Sequence, residues 1–182
     1  MAGVKILGLW LAVAALAGCR QQLPPSPPDA TLDRLLDRMN ERLALMESMA
    51  RFKYRNGLPA HDRDREEATL RAMEAKARER GLNAEEVRRF FAGQMEAARL
   101  LQERFFQQWR EQNARPEADA DIFDLRARID RLNDELLNAY IEVRKSRPPP
   151  GRIEDHARER IHGGGVDDAV RAAAIRPLLE TD

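Results

Sequence analysis

A chain of 182 residues is long enough for one domain of ordinary size. Charged residues reach 34%, against roughly 25% in average soluble domains, while aromatics are only 5%, which favours charged helices packed on aliphatic seams. Lys plus Arg and Asp plus Glu both number 31, so the zero net charge points to no nucleic-acid or polyanion partner and confines anion recognition to local sites.

The first segment stands apart from the fold. Met1 to Lys5 form a short basic region, and residues 6–16 an apolar run too short to span a membrane, followed by small residues. Residues 1–18 therefore read as an export signal. Leu16-Ala17-Gly18-Cys19 looks like the bacterial lipobox, which would make Cys19 the lipidated first residue of a mature envelope protein held in the periplasm. Soluble secretion is the alternative, because Ala15-Leu16-Ala17 fits the small-x-small pattern before a cleavage site. As Cys19 is the only cysteine, an intramolecular disulfide is excluded. Residues 19–30 carry four prolines and no apolar period, the pattern of an extended tether. The domain proper occupies 31–182.

Helix one is expected at 32–55, with Thr31 as N-cap and Gly57 near its stop. Its seam reads Leu32, Leu35, Met39, Arg42, Met46, Met49, Lys53 in alternating steps of three and four. Two of the seven are cations. Helix two begins at 62–64, capped by Asp62 or Asp64, with Leu70, Met73 and Ala77 on its apolar stripe. Gly81 ends it, Asn83 caps helix three, and Glu86 completes a capping-box pattern. The third seam is Phe91, Met95, Ala98, Gln102, Phe105, Trp109, with a lone amide on the apolar track. After a linker containing Pro116, helix four at 121–145 carries Ile122, Leu125, Ile129, Leu132, Leu136 and Tyr140, flanked by Arg126. Two shorter helices, 153–161 and 166–179, follow Pro148-Pro149-Pro150 and are separated by Gly163-Gly164-Gly165, read as a flexible joint. No stretch alternates with period two for long enough to suggest a strand. The expected fold is all-α, a bundle of about six helices.

Arg42 and Lys53 lie on one side of helix one, three turns or roughly 16 Å apart. An unpaired buried cation costs several kcal/mol, and neither has an acid three or four residues away on its own helix. Partners must come from other helices or from a ligand. The alternative is that both snorkel or bridge to Asp62 and Glu66. Asp62, Arg65 and Glu66, spaced i, i+3, i+4, share a helical face, which on its own reads as acids at a helix N-terminus. Gln102 alone reads as a satisfied core amide.

Taken together, Arg42, Lys53, Asp62-x-x-Arg65-Glu66 and Gln102 resemble the all-helical chorismate mutase family. The segments NERLALMESMARFKYRNGLP, DRDREEATL and GLNAEEVRRFFAGQMEAARLLQ look like its exported monofunctional subclass. The resemblance implies an active site within a single chain, with Arg126 in LRARIDRLND supplying the cation that cytoplasmic dimers take from a partner subunit. Arg128 is a neighbouring candidate, and Asp130 at i+4 is a competing partner for Arg126. The implied reaction turns chorismate into prephenate without a cofactor, in phenylalanine and tyrosine biosynthesis outside the cytoplasm. By the same resemblance Arg42 and Arg126 bind the two carboxylates, Lys53 and Gln102 donate to the ether oxygen, and Glu66 accepts from the ring hydroxyl, helped by groups near Asp62 and Arg65. The competing reading is a non-catalytic helical envelope lipoprotein whose seam charges are interhelical bridges. His61, His156 and His162 are scattered, so no metal site is expected. Membrane contact is expected only through Cys19, and a homodimer is left open.

Overall fold

The computed structural model describes residues 30–117 and 120–180. The export signal, Cys19 and all of the tether except Ala30 lie outside the described residues. Seven helices are present: α1 (Ala30–Ala44), α2 (Met46–Arg55), α3 (Arg63–Glu79), α4 (Ala84–Glu111), α5 (Ile122–Ser146), α6 (Pro150–Arg160) and α7 (Asp168–Leu179). Leu45, between α1 and α2, keeps a right-handed helical conformation (φ −79°, ψ −10°), so the two form one rod with a single-residue interruption. Counted that way there are six helices, and no strand occurs among the described residues.

Local chemistry sets most of the boundaries. Asp62 accepts from the Arg65 amide at 3.2 Å, Asn83 from Glu85 and Glu86, Asp121 from Phe123 and Asp124, and Asp167 from Val170, so four helices start on side-chain caps. Of the two caps expected for helix two, Asp62 is the one used. Thr31 is not a cap: the chain is already helical at Ala30, and Thr31 falls inside the first turn. Gly57 and Gly81 leave α2 and α3 with φ of 65° and 68°, a backbone that a side chain would strain.

α4 is the spine of the domain and packs against α7, α3 and α2, while α1 packs on α5 and α6. Every position of the first and third predicted seams is buried, cations and amide included. α4 buries more than its seam: Phe90, Gln94, Ala97 and Leu101 form a second buried stripe about a quarter-turn away, where Gln94 meets α7 and Phe90 stacks on Tyr140 of α5. Gly93 lets α4 and α7 touch, and a Cβ at that position would come within 2.7 Å of the Pro177 ring.

α5 buries its predicted face and a wider margin on either side, with Leu125, Leu136 and Tyr140 of the stripe buried and Ile122, Ile129 and Leu132 packed against the core at its edge. Its buried residues are Leu125, Asn133, Leu136, Leu137, Ala139, Tyr140 and Val143, whereas Ile129 and Leu132 are only half-buried. α6 is clamped to α1 by charge: Arg160 bonds both Asp33 and Asp37, and His156 Nδ1 lies 2.7 Å from Asp33. The triple glycine before α7 is more than a loose joint, since Gly165 adopts φ of 75° and its Cα side faces Leu101 with no room for a methyl group. No described helix is long and apolar enough to cross a membrane.

Candidate active site

All seven residues singled out from the sequence, Arg42, Lys53, Asp62, Arg65, Glu66, Gln102 and Arg126, line one cavity. Its remaining wall is largely thioether and aliphatic: Met46, Met49, Met95, Ala98 and Ile129. The α1–α2 rod supplies two cations, the start of α3 the acids, α4 the amide and α5 the third cation. Five helices of one chain thus meet at one site.

Arg42 is 3% exposed and has no carboxylate within bonding distance. Its Nε donates to Asn133 Oδ1 at 3.1 Å, one terminal nitrogen to the Gln94 carbonyl at 3.0 Å, and the other to Met95 Sδ at 3.3 Å. All three acceptors are neutral. Burial pulls the guanidinium down from 12.5 to about 10, opposed by the more distant charges of Glu66 and Asp130. It is therefore still a cation at neutral pH.

Lys53 is 8% exposed and donates through Nζ to the Ala60 carbonyl at 2.7 Å. Burial lowers its pKa; Asp62 and Glu66 oppose that, and Arg126 reinforces it. Glu66 moves the opposite way, raised by burial and pulled back by His61 and Lys53. His61 Nε2 lies 3.4 Å from Glu66 Oε2. Gln102 donates through Nε2 to the Ala98 carbonyl at 3.1 Å and approaches Met46 Sδ at 3.5 Å, while its Oε1 is buried with no partner. A buried acceptor without a partner carries a penalty of about 1–3 kcal/mol.

Asp130 does not take Arg126. It pairs with Arg65 instead, through bonds of 3.0 and 3.1 Å, and Arg126 is left in the cavity with no bonded partner among the described residues. Arg128, the neighbouring candidate, is exposed and away from the cavity. The Asp62 side chain is occupied as the α3 cap, so its carboxylate faces the Arg65 amide.

Three participants were not legible beforehand. Asn133 and the Gln94 carbonyl hold Arg42, and His61 stands beside Glu66. Asn133 lies seven residues, two helical turns, after Arg126, and that spacing was the available signal.

Residues 29–103 match the family model described as chorismate mutase type II. The secreted chorismate mutase of Yersinia pestis is 32% identical over 111 residues, which span 61% of this chain and 60% of that protein. The secreted chorismate mutase of Mycobacterium tuberculosis is 31% identical over 139 residues, 71% of this chain and 70% of that protein. Among solved structures, the chorismate mutase from Burkholderia thailandensis superposes with a TM-score of 0.73 at 29% identity, covering 82% of this chain and 99% of that one. With sequence, helix order and overall shape in agreement, the chain belongs to the chorismate mutase type II family.

Proposed function

We propose that the protein converts chorismate to prephenate in the cavity between α1–α2, α3, α4 and α5. The reaction is a one-substrate pericyclic rearrangement. The ether C–O bond breaks as a C–C bond forms between the enolpyruvyl methylene and the ring, so no atom is gained or lost and no covalent intermediate is needed. The protein has two tasks: to hold a flexible dianion in its compact diaxial conformer, and to stabilise negative charge growing on the ether oxygen.

The observation that carries this reading is the convergence of Arg42, Lys53 and Arg126 on a mainly apolar wall, none of the three bonded to a carboxylate among the described residues. Arg42 and Arg126 are suited to the two carboxylates, because a planar guanidinium matches a carboxylate fork. Lys53 is the charged donor to the ether oxygen. Gln102 is the neutral one: its contact to Met46 sulfur is weak, and a substrate oxygen competes with it readily. Glu66 accepts from the ring hydroxyl, with backbone groups at the start of α3, near Asp62 and Arg65, completing that side.

The relatives named as secreted enzymes support export, and an extracytoplasmic site of aromatic amino-acid synthesis accords with them. The finer reading is a lipid anchor on Cys19. Cys19→Ser should then move the protein from the membrane fraction to the soluble one; an unchanged distribution would remove the anchor. The activity itself is tested by adding purified protein to chorismate and following the loss of its absorbance. No loss above the uncatalysed rate would refute the reaction.

A further inference from the structure

We infer that Asn133 is a positioning residue for Arg42, and that its neutrality is the property the site requires. This rests on the proposed reaction, in which Arg42 meets a substrate carboxylate. A guanidinium buried to 3% exposure is ordinarily found beside a carboxylate, since an unpaired buried charge is costly. Here α5 presents an amide at that position, itself 1% exposed, and its Oδ1 accepts from Nε of Arg42. The bond fixes the plane of the guanidinium without cancelling its charge. The Gln94 carbonyl and the Met95 sulfur do the same from α4.

The surroundings sharpen the point. Acids are close by, since Asp130 precedes Asn133 by three residues and Asp134 follows it, but both are turned to other cations: Asp130 to Arg65 and Asp134 to Lys76. Asn133 is thus the residue of α5 that bonds Arg42, and it is neutral. Its Nδ2 makes no hydrogen bond to any described residue and is not an enclosed atom without a partner. Exchanging that nitrogen for oxygen breaks no bond. An Asn133→Asp chain would keep the Arg42 contact and give Arg42 the directly bonded carboxylate it does not have.

That substitution separates two roles. If Asn133 were only a structural acceptor, the carboxylate would serve equally well, leaving both stability and kinetics unchanged. If neutrality is the functional property, Asn133→Asp keeps or raises the melting temperature while KM for chorismate rises roughly ten- to hundredfold, with a smaller change in kcat. Asn133→Ala, which leaves Nε of Arg42 without an acceptor, lowers the melting temperature and also raises KM.

The experiment measures thermal melting and steady-state kinetics of the two variants beside the unaltered protein. A wild-type KM in folded Asn133→Asp overturns the inference. So does an Asn133→Asp chain that fails to fold while Asn133→Ala folds, because a carboxylate facing Arg42 would then be a burden rather than a counter-charge. An unaltered protein that does not turn chorismate over refutes the proposed reaction instead, so the two failures are told apart.

Discussion

Arg65 on α3 and Asp130 on α5 are joined by two hydrogen bonds of 3.0 and 3.1 Å, and this pairing leaves Arg126 unclaimed one turn earlier on α5. The pair is exposed, 44% and 55%, so it adds at most about 1 kcal/mol of stability. Its effect is on which cation of the cavity is left unpaired. Arg126→Ala should lower kcat/KM by about 30-fold or more, as expected for losing a charged partner worth 2 kcal/mol or more, while Arg128→Ala leaves it unchanged. Steady-state kinetics of the two variants decide this; equal effects would remove Arg126 from the site.

Lys53 is a buried cation whose one hydrogen bond goes to a backbone carbonyl. Lys53→Met keeps the apolar stem and removes the charge. Turnover should fall by about 10²- to 10³-fold, the usual worth of a preorganised donor. Melting temperature should hold or rise, because a desolvated ammonium is a burden on the fold. A folded Lys53→Met chain with wild-type turnover would rule Lys53 out as the donor.

The pH profile should have two limbs. Burial raises Glu66 above its ordinary 4.5 and lowers Lys53 below its ordinary 10.5, so the useful charged forms are the ones burial disfavours. Activity therefore rises through an acid limb shifted up from 4.5 and falls in an alkaline limb shifted down from 10.5. Stability runs the other way. A raised carboxyl adds stability at low pH that is lost as pH rises through its folded value, and a depressed lysine adds stability at high pH that is lost as pH falls through its folded value. Near neutrality both groups therefore weaken the fold, and Glu66→Gln should melt higher than the unaltered protein at pH 7 but not at low pH.

Gln102 donates without needing a proton from solution. Gln102→Glu would make the same contact only as the carboxylic acid, so its activity should fall steeply as pH is raised from about 5 to about 7, where that of the unaltered protein does not fall. Parallel profiles for the two proteins would exclude Gln102 from the ether-oxygen contact.

The meeting of α4 and α7 at Gly93 is a packing prediction. Gly93→Ala places a methyl 2.7 Å from the Pro177 ring and 3.0 Å from the Ala173 carbonyl, and should destabilise the domain by about 1–3 kcal/mol in thermal or denaturant unfolding. An unchanged midpoint would show that α7 shifts freely.

The α1–α2 rod and α4 were readable because their apolar period is regular and the polar exceptions, Arg42, Lys53 and Gln102, fall on it. All three proved buried. Asn133 was missed because it lies at the margin of the predicted stripe on α5, where a polar residue is unremarkable, and the covered face is wider than the stripe. An amide becomes conspicuous only when the cation it holds is known, and the partner here is 91 residues away. α7 was placed but not docked: its alanine-rich sequence has little periodicity, and the flank of α4 that it covers is marked only by Gln94, Ala97 and Leu101. Thr31 failed as a cap because cap chemistry is read from the residue before a helix, and the helix here starts before it.

Gln94 carries a consequence for genes that are shortened. Its side chain donates to the Ala174 carbonyl of α7 at 2.9 Å, and its own carbonyl receives Arg42. A coding sequence ending after residue 150 would still contain the family-matched segment, 29–103, and all seven pocket residues. Its product would present the bare flank of α4 to water and leave the amide behind Arg42 without its acceptor. Inspection of the pocket residues alone would pass such a truncated homologue as sound, when the fault lies two hydrogen bonds behind them.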